Sequence, residues 1–104
     1  MTPEGKVKAK IKKILNSWEV YYFMPATYGY GSSGIPDLVA CFKGRFIAIE
    51  CKANGNKPTP LQERNLHEIS RTGGAALVIN EYNIDLLVKT LEEINELDKV
   101  HGHN

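Results

Sequence analysis

The stretch RFIAIECK, residues 45–52, carries the densest chemical signal in the chain. Its apolar and β-branched character reads as a strand, in which successive side chains face opposite ways. Ile47, Ile49 and Cys51 then share one face, and Ala48, Glu50 and Lys52 share the other. A carboxylate and an ammonium on an apolar strand are costly to bury unless they are paired or given a metal. A simple Glu50–Lys52 pair at a sheet end meets that condition, and so does a metal site.

The preceding segment DLVACF, residues 37–42, reads as a second strand, with Lys43-Gly44 as the hairpin turn between them. A two-residue turn pairs Phe42 with Arg45 and brings Asp37 opposite Glu50, with Cβ atoms about 5 Å apart. A three-residue turn would shift the register by one position and undo that pairing. Facing carboxylates repel and do not both stay ionised without a cation between them. Two carboxylates and water are hard oxygen ligands suited to Mg²⁺ or Mn²⁺, and the backbone carbonyl of Cys51 is a third candidate ligand. Such a cation polarises phosphodiester oxygens and acidifies water. Lys52 would orient or help deprotonate that water, or steady the charge that builds on the phosphate. Asp37, Glu50 and Lys52 are therefore the expected catalytic residues, and the expected chemistry is in-line hydrolysis of a phosphodiester.

These residues need a scaffold. Thr2 as N-cap and Pro3 at the first helical position open a helix whose Val7, Ile11, Ile14, Leu15 and Trp18 form one apolar stripe. Glu19 to Met24 reads as a strand, and YGYGSSGIP at 28–36 is too rich in glycine for regular structure. After the hairpin, residues 53–58 form a loop. Thr59, Pro60 and Gln62 then give a capping box for a helix that runs to about Thr72 and stops at Gly73-Gly74. Ala75 to Ile79 is a short buried strand, and a last helix spans about Ile84 to Leu97. The order is that of an α/β fold with a mixed sheet flanked by helices. The last strand joins after a helical crossover, so its pairing is expected to be parallel.

Gly34-Ile-Pro-Asp37, thirteen residues before Glu50-Cys-Lys52, resembles the PD-(D/E)XK nuclease signature. The element order resembles that superfamily's restriction-endonuclease-like core, αβββαβ. The likeness is closer to its VRR-NUC branch: Glu4 near the start of the first helix, Gly-x-Pro-Asp, Glu-x-Lys, and Gln62 in the following helix, over roughly residues 3–80. The resemblance implies that Asp37 and Glu50 bind the metal and that Lys52 is catalytic. It also implies that Glu4 reaches the metal through water and that Gln62 lines the site. Read on their own, Glu4 is a first-turn acid that suits the helix dipole, and Gln62 is a capping-box partner.

Composition sets the outer bounds. A chain of 104 residues, 42% hydrophobic and 24% charged, suits one globular domain, here residues 1–100 with a frayed tail at 101–104. No apolar run approaches the roughly 18 residues of a membrane span. The lysine-punctuated start has no continuous apolar stretch and does not read as a secretion signal. The expected location is the cytoplasm of a bacterial cell, with a phage origin by analogy. The net charge of +1 hides a basic half, residues 1–64, with ten Lys/Arg against five Asp/Glu. That half suits either a polyanion partner or a solvated helix face. Cys41 and Cys51 are expected as reduced, buried thiols, because no soft-ligand cluster accompanies them. The glycine loop lacks the Lys-Ser/Thr of a phosphate-binding P-loop, which argues against a nucleotide cofactor. Tyr28 and Tyr30 would stack on an exposed base or pack the loop. Tyr30, Ser32, Ser33 and Lys57 are the candidate nucleic-acid contacts.

Small domains of the VRR-NUC branch resemble structure-selective endonucleases, including resolvases of four-way DNA (Holliday) junctions. Paired symmetric cuts need a two-fold homodimer. The resemblance thus implies a homodimer acting on branched DNA. The first strand, apolar on both faces at Tyr21, Tyr22, Phe23 and Met24, suits a buried strand or a dimer interface. A nickase or restriction-like enzyme on ordinary duplex, a nuclease subunit that needs a partner, and a DNA-binding module without catalysis are the alternatives.

Overall fold

Thr2 caps the first helix as its residue type predicts: in the computed structural model its Oγ1 accepts a hydrogen bond from the Gly5 N–H at 3.0 Å. The structure describes residues 1–26 and 34–101. The loop candidates Tyr28, Tyr30, Ser32 and Ser33 lie outside the described residues, as does the tail beyond His101.

Helix α1, Pro3–Ser17, buries Val7, Ile11 and Leu15, and Ile14 and Trp18 pack half-buried against the same core. Glu19 takes a left-handed φ of 57° and the Val20 N–H returns to the Leu15 carbonyl. Helix closure thus consumes the first residues expected in a strand, and β1 is only Tyr21–Phe23. Strands β2, Leu38–Phe42, and β3, Arg45–Cys51, are joined by Lys43 (φ 52°) and Gly44 (φ 78°). Two consecutive positive φ values mark the two-residue hairpin turn whose twist matches its strands. Helix α2, Pro60–Arg71, opens with the full capping box: Gln62 N–H to Thr59 Oγ1 at 3.2 Å and Thr59 N–H to Gln62 Oε1 at 2.9 Å. Strand β4 is Ala75–Ile79 and helix α3 is Ile84–Val100, one turn longer than its sequence pattern suggests.

The sheet order is β1-β2-β3-β4. The first two pairings are antiparallel and β3 with β4 is parallel, as the helical crossover requires. Leu38, Ala40, Phe42, Ile47, Ile49, Cys51 and Ile79 form one face of the sheet and join α1 and the α3 residues Leu87, Leu91 and Ile94 in a single core. Val39 and Ala48 point to the other face and are also buried, as is Leu66 of α2, which packs chiefly on β4.

That placement corrects one expectation. Cys51 is buried, but Cys41 is exposed. Cys41 sits between Tyr21 of β1 and Phe46 of β3 in the register, and both of these are exposed as well. With α2 lying over the β4 side, no helix of the described residues packs chiefly on this part of the face.

Candidate functional site

One position beyond the last strand pair, Leu38↔Ile49, stand Asp37 and Glu50 at the open end of the hairpin, their side chains hydrogen-bonded to each other. Asp37 has just left the strand, so the Cys51 N–H meets a side chain instead of a backbone carbonyl, and donates to Asp37 Oδ2 at 2.8 Å. Beyond it, the Lys52 N–H donates to the Ile79 carbonyl at 2.9 Å, so β4 fixes the end of β3. Both neighbouring strands therefore hold the backbone that presents Glu50 and Lys52.

Glu50 is only 1% exposed. Its carboxyl is pushed up to about 9, first by burial, then by the hydrogen bond and the negative charge of Asp37, with Glu4 adding to the rise and Lys52 opposing it. Glu50 Oε2 has no hydrogen-bond partner among the described residues. Buried acceptors are nearly always satisfied, so the orphaned Glu50 oxygen beside a second carboxylate is a position where a cation would supply the missing partner. Among the described residues no three His, Cys, Asp or Glu side chains converge into a ready-made cage. A pair of carboxylates with water completing the shell suits Mg²⁺, which keeps much of its hydration, better than it suits zinc. The residues present therefore fit a hard divalent ion held by Asp37 and Glu50. The Cys51 thiol lies in the core and is pushed up to about 12, mainly by burial and then by Asp37. Only its backbone carbonyl remains as a ligand.

The outer candidates are placed less centrally. Glu4 lies in the first turn of α1, and its charge is felt at both Glu50 and Cys51. The Gln62 side-chain oxygen is engaged at the α2 cap, which is its structural role. Lys57 is exposed on the loop after β3.

Two residues that the sequence reading passed over touch this centre. The Lys8 Nζ on α1 lies 3.9 Å from Asp37 Oδ1. It is one helical turn beyond Glu4, so helical spacing was the available signal. Asn65 of α2 donates from Nδ2 to the Gly34 carbonyl at 2.9 Å. Gly34 has φ 73°, and a Cβ there would come within 2.7 Å of the Leu61 carbonyl oxygen. The glycine of Gly-x-Pro-Asp is thus the point where the chain passes against α2 on its way to Asp37, and nothing in the local sequence names Asn65 as its partner.

Comparison with known proteins bears on the fold. A solved structure described as a VRR_NUC domain superposes with a TM-score of 0.71 at 23% identity, over 86% of this chain and 97% of that one. The chain therefore has the restriction-endonuclease-like fold of a VRR-NUC domain. In sequence it is 37% identical over 59 residues to "Putative nuclease p44" of Acyrthosiphon pisum secondary endosymbiont phage 1. The match takes in 56% of this chain and 63% of that protein's length. No family model matches the chain. Both likenesses support the resemblance read from Gly34-Ile-Pro-Asp37 and Glu50-Cys-Lys52.

Proposed function

We propose that this chain, folded as a VRR-NUC domain, is a metal-dependent endodeoxyribonuclease. The observation that carries the reading is the buried Glu50 carboxyl, with its unpartnered Oε2, beside Asp37 and two residues before Lys52. Asp37 and Glu50 would hold Mg²⁺ or Mn²⁺. When bound, the ion supplies Lewis-acid charge to a phosphodiester and acidifies water. Asp37 is held in place through Oδ2 by the Cys51 N–H, with Lys8 facing Oδ1, and its carboxylate would serve as one ligand of the ion. Glu50 contributes a carboxylate that burial keeps away from competing water. Lys52, half-buried just beyond β3, would supply an ammonium to steady the negative charge that builds on the phosphoryl oxygens. In the hydrolysis, water oxygen bonds to phosphorus as the opposite P–O ester bond breaks, and the departing oxygen takes up a proton.

For the substrate, the reading is branched DNA cut by a homodimer, as a junction resolvase requires. One domain has one site and cuts one strand, so symmetric cuts need two copies. What favours a dimer is β1: an edge strand whose Tyr21 and Phe23 stay exposed. A relative encoded by a phage fits a phage origin for this chain. Among the described residues no helix is long and apolar enough to cross a membrane.

The test is cleavage of a labelled four-way junction and its matched linear duplex with Mg²⁺, Mn²⁺ or EDTA, by the wild type and Asp37→Ala. Paired symmetric cuts in the junction, dependent on metal and absent in the variant, are the expected result. Metal-dependent cutting without junction preference keeps the nuclease and replaces the substrate with ordinary duplex. Folded protein that cuts nothing overturns the stand-alone enzyme.

A further inference from the structure

Lys8 stands outside the Asp37–Glu50–Lys52 trio, yet it is the cation nearest to Asp37 in the ion pairs of the described residues, at 3.9 Å from Oδ1. Its side chain is 31% exposed and that of Asp37 is 25% exposed, so solvent screens the pair less than it screens ion pairs on the open surface. The helix explains the placement. Val7 is buried in the core, Glu4 precedes Lys8 by one turn, and the charges of both Glu4 and Lys8 reach Cys51. Helix α1 therefore sets an acid and a base, one turn apart, along the flank of the carboxylate corner. The two oxygens of Asp37 are addressed from two elements: the β3 amide at Cys51 holds Oδ2, and Lys8 faces Oδ1.

We propose that Lys8 is a counter-ion that changes partner: it balances Asp37 in the metal-free protein and turns to a backbone phosphate of the DNA when a divalent ion takes its place. This rests on the metal-site reading above. The chemistry follows from charge. A divalent ion held by Asp37 repels the Lys8 ammonium, and the long, freely rotating lysine stem lets that group swing away without moving the helix. A polymeric phosphodiester carries further phosphates beside the scissile one, and one of these is the anion that Lys8 would meet. Lys8 thus opposes metal binding when no DNA is present and supports DNA binding when metal is present. Because coupling of binding free energies is reciprocal, DNA that draws Lys8 away from Asp37 also tightens the hold on the metal. The site would then fill most readily when both ligands are available together.

The first experiment is calorimetric titration of Mn²⁺ into the DNA-free wild type, Lys8→Met, Lys8→Arg and Asp37→Asn. Lys8→Met should bind Mn²⁺ several-fold more tightly than the wild type, Lys8→Arg should resemble the wild type, and Asp37→Asn should lose binding. The second experiment measures DNA affinity against salt with Mn²⁺ present, in a Lys52→Met background that suppresses cleavage. There Lys8→Met should weaken binding and flatten the log–log salt slope by about one unit, the signature of one lost phosphate contact. A lysine that merely braces Asp37 gives the opposite first result, with Mn²⁺ affinity unchanged or weaker in Lys8→Met, and leaves the salt slope intact. Either result overturns the proposal while the wild type still binds Mn²⁺. A wild type that binds no Mn²⁺ overturns the metal-site reading itself, and the Lys8 proposal falls with it.

Discussion

Glu50 shares a buried corner with Asp37, so a proton and the proposed cation would compete for the same oxygens. In the unfolded chain its carboxyl titrates near the ordinary 4.5, and in the folded, metal-free protein near 9. Between those values the folded state binds more protons than the unfolded state, so this group's contribution to stability falls as pH rises. The contribution is full below the unfolded value and is lost through the folded one. The metal-free protein should therefore melt at lower temperature as pH is raised from about 5 to about 9, and Glu50→Gln should flatten that profile. The amide of Gln can donate to Asp37 as the protonated carboxyl does. Thermal melts in EDTA across that range check this. A Glu50→Gln profile as steep as the wild type's would move the titrating group elsewhere. Glu50 and Lys52 were legible as a pair from alternation alone. Lys8 was not, because its partner lies 29 positions along the chain, on a different element.

The hairpin is the element on which the site depends. Its turn residues set the register, and the register sets Asp37 opposite Glu50. A second constraint comes from α2, which holds the approach to Asp37 through Asn65 and the Gly34 carbonyl. Gly34→Ala should be costly on two counts. Its φ of 73° is unfavourable for any residue with a Cβ, at about 1–3 kcal/mol for such strain, and the Cβ would collide with the α2 backbone at Leu61. A lowered urea midpoint with loss of Mn²⁺ binding is the expected outcome. A variant with wild-type stability and metal affinity would show that the approach to Asp37 is not held at Gly34. The sequence indicated the glycine through the glycine-rich run 28–36 and the Gly-x-Pro-Asp resemblance. It gave no indication of α2, since the contact joins segments 31 positions apart.

At the scale of the whole molecule, charge and exposed apolar surface are segregated. Helix α1 carries Lys6, Lys8, Lys10, Lys12 and Lys13, whereas α3 carries Asp85, Glu92, Glu93, Glu96 and Asp98. Both helices cover the same sheet face, so the proposed DNA substrate would approach the carboxylate corner more favourably from the α1 flank than from α3. The opposite face, around Tyr21, Phe23, Cys41 and Phe46, offers exposed apolar side chains at the β1 edge. An edge strand of this kind is a ready surface for a second copy. Light scattering should give a dimer for the wild type and a monomer for Phe23→Lys, with Mn²⁺ binding retained because neither proposed ligand, Asp37 nor Glu50, lies on β1. A dimeric Phe23→Lys, or a monomeric wild type in the presence of DNA, would place the second copy elsewhere or remove it.

The sequence by itself determined what is local and periodic. Helix caps at Thr2 and Thr59 and the alternation along 45–52 follow from near neighbours and a fixed repeat, whereas the Asp37–Glu50 juxtaposition was conditional on a two-residue turn that the structure supplies. The tertiary structure decided what depends on which elements meet across the sheet. It shortened β1, because closing α1 required Glu19 and Val20. It left Cys41 exposed, because α2 settled over β4. It also brought Lys8 and Asn65 to Asp37 and Gly34, contacts between segments about thirty residues apart. No local pattern specifies such contacts. They arise from the packing of α1 and α2 against the sheet once their apolar faces are buried.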